Sequence, residues 1–150
     1  FETYYEDQWF PYTMPVSDIM GLRQALENVA SDPEHLKRHA VIAAATRKAL
    51  TDAGLTLYLE SGFASSVTVF YVPEGMKAQD ILDKEHHIMI AGCFDVLAGK
   101  VIRIGHMGNN ANEADMTVTL AALDKTLQSL GFTGKADMAE GFTSYMNAHK

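Results

Sequence analysis

The chain has 150 residues, 47% apolar and 21% charged, the profile of an ordinary globular protein long enough to bury a real core. A net charge of −7 argues against a general nucleic-acid binder, and no apolar run approaches the ~20 residues that cross a bilayer. The single cysteine, Cys93, excludes an internal disulfide and a Cys-rich zinc site; with the acidic, aromatic opening stretch, which lacks a secretory pattern, it points to the cytoplasm.

Residues 1–16 read as an arm or lead-in, because Pro11 and Pro15 favour extended chain. Ser17 or Asp18 can cap a helix carrying Ile19, Leu22, Leu26 and Val29 at helical spacing. Apolar residues so spaced are expected in a core. Asp32 then caps a second helix with Pro33 in its first turn, running through Leu36, Ala40, Ala43 and Leu50 to Gly54. The period changes there. Leu55-Thr56-Leu57-Tyr58-Leu59 alternates loosely, and Ser66-Val67-Thr68-Val69-Phe70-Tyr71-Val72 is strongly β-forming up to Pro73. A short helix from Ala78 to about Glu85 turns Ile81 and Leu82 inward, and His87-Ile88-Met89-Ile90-Ala91 reads as a strand. Val101-Ile102-Arg103-Ile104 is a further strand, ended by Gly105. Asn112 caps a helix that buries Met116, Leu120, Leu123 and Leu127 and closes at Gly131. Residues 133–150 form a tail with a surface helix from about Met138 to Tyr145. Helices and strands do not alternate singly, so the expected fold is α+β: a small, mostly antiparallel sheet with helices on one face. Residues 17–132 are its body.

Arg103 stands out first. A guanidinium on an otherwise apolar strand needs a partner, and its planar fork suits a carboxylate. On pattern alone, a strand arginine on a solvated face or paired with a structural aspartate is the plainer reading. The glycines of Gly105-His106-Met107-Gly108-Asn109-Asn110 permit close approach to a ligand, but a turn needing positive φ explains them as well. His35 and His39 stand four apart, as in some metal sites, yet no third ligand is visible and no metal is expected. His86-His87 marks a helix boundary, and Cys93 reads as a small apolar filler.

From Gly99 the residues Lys100-Val101-Ile102-Arg103-Ile104-Gly105-His106-Met107-Gly108 resemble the last block of class V aminotransferases, in the alanine–glyoxylate and serine–pyruvate branch. Tyr12-Thr13-Met14-Pro15-Val16, followed by Gly21-Leu22-Arg23-Gln24-Ala25-Leu26, resembles the block just after that family's cofactor lysine. Ser66-Val67-Thr68-Val69 and Ile90-Ala91-Gly92 fall at matching places. The resemblance runs to about Phe132. It implies the C-terminal small domain of a fold type I enzyme that uses pyridoxal 5'-phosphate, and a homodimer when complete. It gives Arg103 the substrate carboxylate of an amino or keto acid. It gives Thr13 the cofactor phosphate of the neighbouring subunit, with an aromatic contact at Phe10 or the adjacent Tyr12. The Schiff-base lysine is expected upstream, in a missing large domain, so no catalytic residue is assigned here; Lys37, Lys48 and Lys100 are not placed to replace it. The chain is therefore expected to be a fragment, inactive alone. The alternative is a non-catalytic α+β module that binds a small carboxylate and regulates a partner.

Overall fold

The computed structural model describes residues 6–7 and 12–149, apart from the side chains of residues 78–81. The chain divides into two compact units, residues 1–35 and 36–150.

The first unit is built around helix α1, Val16–Ser31. Its N-cap is Pro15, with no side-chain cap, so Ser17 and Asp18 lie inside the first turn and do not precede it. Proline suits this place because the helix start leaves amides without partners anyway. Ile19, Leu22, Leu26 and Val29 share one face as their spacing requires, but all four remain at least 49% exposed. The expectation that they are core fails. Periodicity reports that a helix has an apolar face, not what covers it.

Helix α2, His35–Asp52, lies in the second unit from Leu36 onward. Asp32 and Pro33 do not cap it as expected. Pro33 and Glu34 form a turn, and the helix begins at His35, whose amide donates to the Asp32 carbonyl at 3.3 Å. The far end is a Schellman closure. Gly54 takes φ +96°, its amide donates to the Thr51 carbonyl at 3.0 Å, and the Leu55 amide donates to the Leu50 carbonyl at 2.9 Å.

Strand β1, Val67–Tyr71, pairs antiparallel with strand β2, Val101–Gly105. The register sets Thr68 opposite Ile104, Val69 opposite Arg103 and Phe70 opposite Ile102. Thr68, Phe70, Ile102 and Ile104 are buried, while Val69 and Arg103 on the other face are only partly covered. The fold is thus α+β with an antiparallel sheet. The stretches at 55–59 and 87–91, expected as strands, are not regular strands. Each makes a single bridge, Leu57 to Phe70 and Ala91 to Arg103, along the two outer edges. At 87–91 the reason is local: His87 adopts a left-handed conformation, φ 55°, where the preceding helix ends, so only Ala91 reaches the ladder.

Helix α3, Ala78–His86, seals the core with Leu82. Helix α4, Glu113–Ser129, starts on Asn112, whose Oδ1 accepts from the Asp115 amide at 2.8 Å. It ends with a second Schellman closure, in which Phe132 N–H donates to the Leu127 carbonyl at 2.9 Å. Helix α5, Met138–Ala148, packs on α4 and is no surface appendage: Met138 and Phe142 are fully buried. Its N-cap is Asp137, which accepts from the Glu140 amide at 2.8 Å. Phe142→Ala should therefore destabilise this unit by about 3–5 kcal/mol. Urea unfolding checks this, and a change under about 1 kcal/mol would show that the helix is peripheral.

Candidate functional site

Strand β2 dictates where Arg103 goes. Side chains alternate along a strand, and burying Ile102 and Ile104 forces the residue between them onto the opposite face. Arg103 is half-buried there. Its backbone amide donates to the Ala91 carbonyl at 2.7 Å, and its side-chain Nε donates to the Gly92 carbonyl at 2.7 Å. Anchoring through Nε fixes the plane of the guanidinium while leaving its two terminal nitrogens for another acceptor. Among the described residues no carboxylate lies within ion-pair distance of Arg103. The plainer expectation of a structural aspartate partner is not met.

Arg103 lines a pocket of about 620 Å³. Ile88, Ile90, Ala91 and Met116 give it apolar walls, and Asn110, Asp115 and Thr119 give it polar ones. Asp115 is not loose in that wall, since its Oδ2 accepts from Asn112 Nδ2 at 2.6 Å. Arg103 thus offers the pocket a cation oriented through its Nε bond, and Asn110, Asp115 and Thr119 line the same pocket. Such a site can hold a small anion with a planar, two-oxygen head.

The loop after β2 supports this arrangement. The His106 amide donates to the Ser66 carbonyl at 2.9 Å and so extends the ladder one step past Gly105. The His106 ring is fully buried and bonds through Nε2 to Thr68 Oγ1 at 2.8 Å. Burial holds its pKa below the usual imidazole value, with the neighbouring Arg47 and His39 acting in the same direction and nearby backbone groups opposing. Gly108 takes φ +59°, so the glycine there serves a turn, as its plainer reading held.

The other sequence candidates are dispersed. Thr13 and Tyr12 lie in the first unit with exposed side chains, and Phe10 falls outside the described residues. Cys93 is half-buried. Among the described residues no three His, Cys, Asp or Glu side chains gather as metal ligands. His39 has a different engagement: its Nε2 accepts from the Gly108 amide at 3.0 Å. Sequence reasoning missed that contact. The only signal was a histidine on the second helix, and nothing local linked it to a loop 69 residues away.

His106 also fixes a pH dependence. Its folded pKa lies below its unfolded value, so its contribution to stability is complete above about pH 6.5 and is lost as pH falls through the lowered folded value. Between pH 7 and 5 the unfolding free energy should fall more steeply in the native protein than in His106→Gln. Equal slopes in denaturant titrations across that range would contradict it.

No protein-family model matches the chain. Sequence comparison finds an uncharacterized aminotransferase of Methanocaldococcus jannaschii, 36% identical over 147 residues, covering 93% of this chain and 38% of the relative. The small subunit of a soluble hydrogenase from Synechococcus is 33% identical over 128 residues, covering 82% of this chain and 33% of the relative. Among solved structures, the pyridoxamine–pyruvate aminotransferase of Mesorhizobium loti superposes with a TM-score of 0.86 at 25% identity, over 95% of this chain and 38% of that one. Other homologues are serine–glyoxylate and alanine–glyoxylate aminotransferases. The chain spans less than two-fifths of the length of these relatives. Its homologues are class V aminotransferases, and the roughly one third of their length that it matches is consistent with a C-terminal small domain.

Proposed function

We propose that this chain is the substrate-carboxylate-binding part of an aminotransferase that moves an amino group between an amino acid and a keto acid in the cytoplasm. The observation that carries this is Arg103: half-buried, oriented through Nε, lining a pocket, and without a carboxylate partner among the described residues. A guanidinium so oriented at a pocket wall suits the two oxygens of a carboxylate. The relatives' names support the ligand class. Glyoxylate or pyruvate is the acceptor in several of them, and each carries the carboxylate that such a guanidinium grips.

Pyridoxal 5'-phosphate supplies the electron sink for transamination when bound. The described residues alone do not make a site for it. A phosphate group needs several converging donors, and Thr13 offers one exposed hydroxyl. In this reading Thr13 completes a phosphate site provided mainly by a neighbouring subunit of a homodimer, with Tyr12 or Phe10 beside it. The Schiff-base lysine belongs to a large domain outside these 150 residues. The chain's own share of the work is then to hold the substrate carboxylate, set its direction, and keep the pocket wall in place.

A second reading has a specific support. Two relatives are named as subunits of soluble hydrogenases, at 33% and 29% identity. A domain of this fold could then bind a small carboxylate and regulate an assembly without catalysing a reaction. The two readings separate on the complete protein. Arg103→Ala should raise KM for L-alanine or L-serine with glyoxylate as acceptor by about 10–100-fold, as expected for losing a charge-assisted hydrogen-bonded pair. Arg103→Lys should recover part of it. An unchanged KM would remove Arg103 from the site. Absence of transamination, with no lysine modified after borohydride reduction, would favour the regulatory module.

A further inference from the structure

Two consecutive residues of α2, Arg38 and His39, reach the two ends of one short turn. The turn is a single 3-10 segment, Gly108–Asn110, followed by Ala111. At its start, the Gly108 amide donates to His39 Nε2 at 3.0 Å. At its end, the Ala111 carbonyl accepts from Arg38 Nε at 3.2 Å. One helix thus supplies an acceptor to the turn's first free amide and a donor to its last carbonyl. The turn's own bonds are local: the Asn110 amide to the Met107 carbonyl at 3.2 Å and the Ala111 amide to the Gly108 carbonyl at 3.1 Å. The Asn109 carbonyl also accepts from Asn112 Nδ2 at 2.8 Å, and Ala111 is buried in the core. The two side chains from α2 add the links that tie the turn to that helix.

The place matters because of what flanks the turn. It joins β2, which carries Arg103, to α4, which begins with the Asn112–Asp115 cap. Asn110 lies inside the turn, and both Asn110 and Asp115 line the Arg103 pocket. A shift of the turn therefore moves part of the wall of the pocket that Arg103 also lines. Misplacing such a wall by even an ångström weakens a site that depends on converging groups.

We propose that His39 is a positioning residue for the carboxylate pocket: through its hydrogen bond to the Gly108 amide it holds the turn that carries Asn110, which lines the pocket together with Arg103. Arg38 acts as the companion fastening at Ala111. Neither touches the substrate. The proposal rests on the reading of Arg103 as the carboxylate grip. The role requires an acceptor at the tip of residue 39. The imidazole meets this with Nε2, keeping its proton on Nδ1. Glutamine, whose Oε1 sits at similar reach, can meet it too, whereas leucine cannot.

The test uses the complete protein with L-alanine as donor and glyoxylate as acceptor. His39→Leu should raise KM for L-alanine about 5-fold, the size of one ordinary hydrogen bond, with kcat within about 2-fold. Hydrogen exchange in peptides spanning 105–110 should accelerate in the same variant. His39→Gln should return both readouts to near native. A merely structural role would lower stability without this split between KM and kcat. The proposal is overturned if His39→Leu leaves KM and exchange unchanged, or if glutamine restores neither. Arg103→Ala runs alongside. Unchanged KM there sinks the carboxylate reading itself, whereas a large rise there with a silent His39→Leu sinks only the positioning role. Should the leucine variant fail to fold, exchange at Gly108 in the native protein decides, since a fast-exchanging amide means that His39 does not hold it.

Discussion

The two-residue alternation of β2 is the constraint from which the site follows. Ile102 and Ile104 each bury an aliphatic side chain, worth about 1.5–3 kcal/mol apiece, on the face shared with Phe70. Slipping the register by one residue would expose both and drive the guanidinium of Arg103 into the apolar layer. The core therefore holds Arg103 on the opposite face far more firmly than any contact of its own. The Ala91 and Gly92 carbonyls then act on an already placed residue, one binding its backbone and the other its Nε. Among the described residues no carboxylate meets the guanidinium, and in the proposed reading its outer edge takes the carboxylate of the substrate.

The segment after β2 is held with similar economy. His106 continues the ladder through its backbone and plugs the core with its ring, so the chain leaves the sheet in a fixed direction. Asn112 and Asp115 then exchange two hydrogen bonds, and α4 starts at a defined residue. Between those fixed points only about five residues have freedom, and Gly108 uses the positive φ that such a tight path needs. Desolvation penalises the charged form of the buried imidazole, so at neutral pH the plug puts no charge into the core.

Much of this was legible in the residues, unevenly and for physical reasons. Strand β2, the Asn112 cap and the glycine closures at Gly54 and Gly131 were all readable because each is decided within a few residues of chain. The single-bridge edges at 55–59 and 87–91 were not. A strand is defined by its partner, and the left-handed His87 that stops the second one has no sequence signature comparable to a glycine. The exposed apolar face of α1 failed for the converse reason, since its helix was correctly read but its surroundings were not encoded locally. The site divided the same way. Arg103 could be singled out as a charge in an apolar strand, while its lack of an acidic partner among the described residues, its pocket and the reach of His39 are all long-range facts.

A guanidinium that grips a carboxylate cannot by itself choose a substrate. Amino donors and keto acceptors carry the same head group, so Arg103 would treat both alike, which is what a reaction running through donor and acceptor in turn requires of one site. Discrimination has to come from the groups that meet the remainder of the molecule. In this chain those are the aliphatic wall of Ile88, Ile90 and Met116 and the polar edge at Asn110, Asp115 and Thr119. An added methylene against the aliphatic wall is worth only about 1–3 kcal/mol, whereas an unmet hydrogen-bonding group is penalised more heavily. The polar edge is therefore the part of this pocket able to select. One member of that edge, Asn110, sits in the turn that α2 contacts through Arg38 and His39.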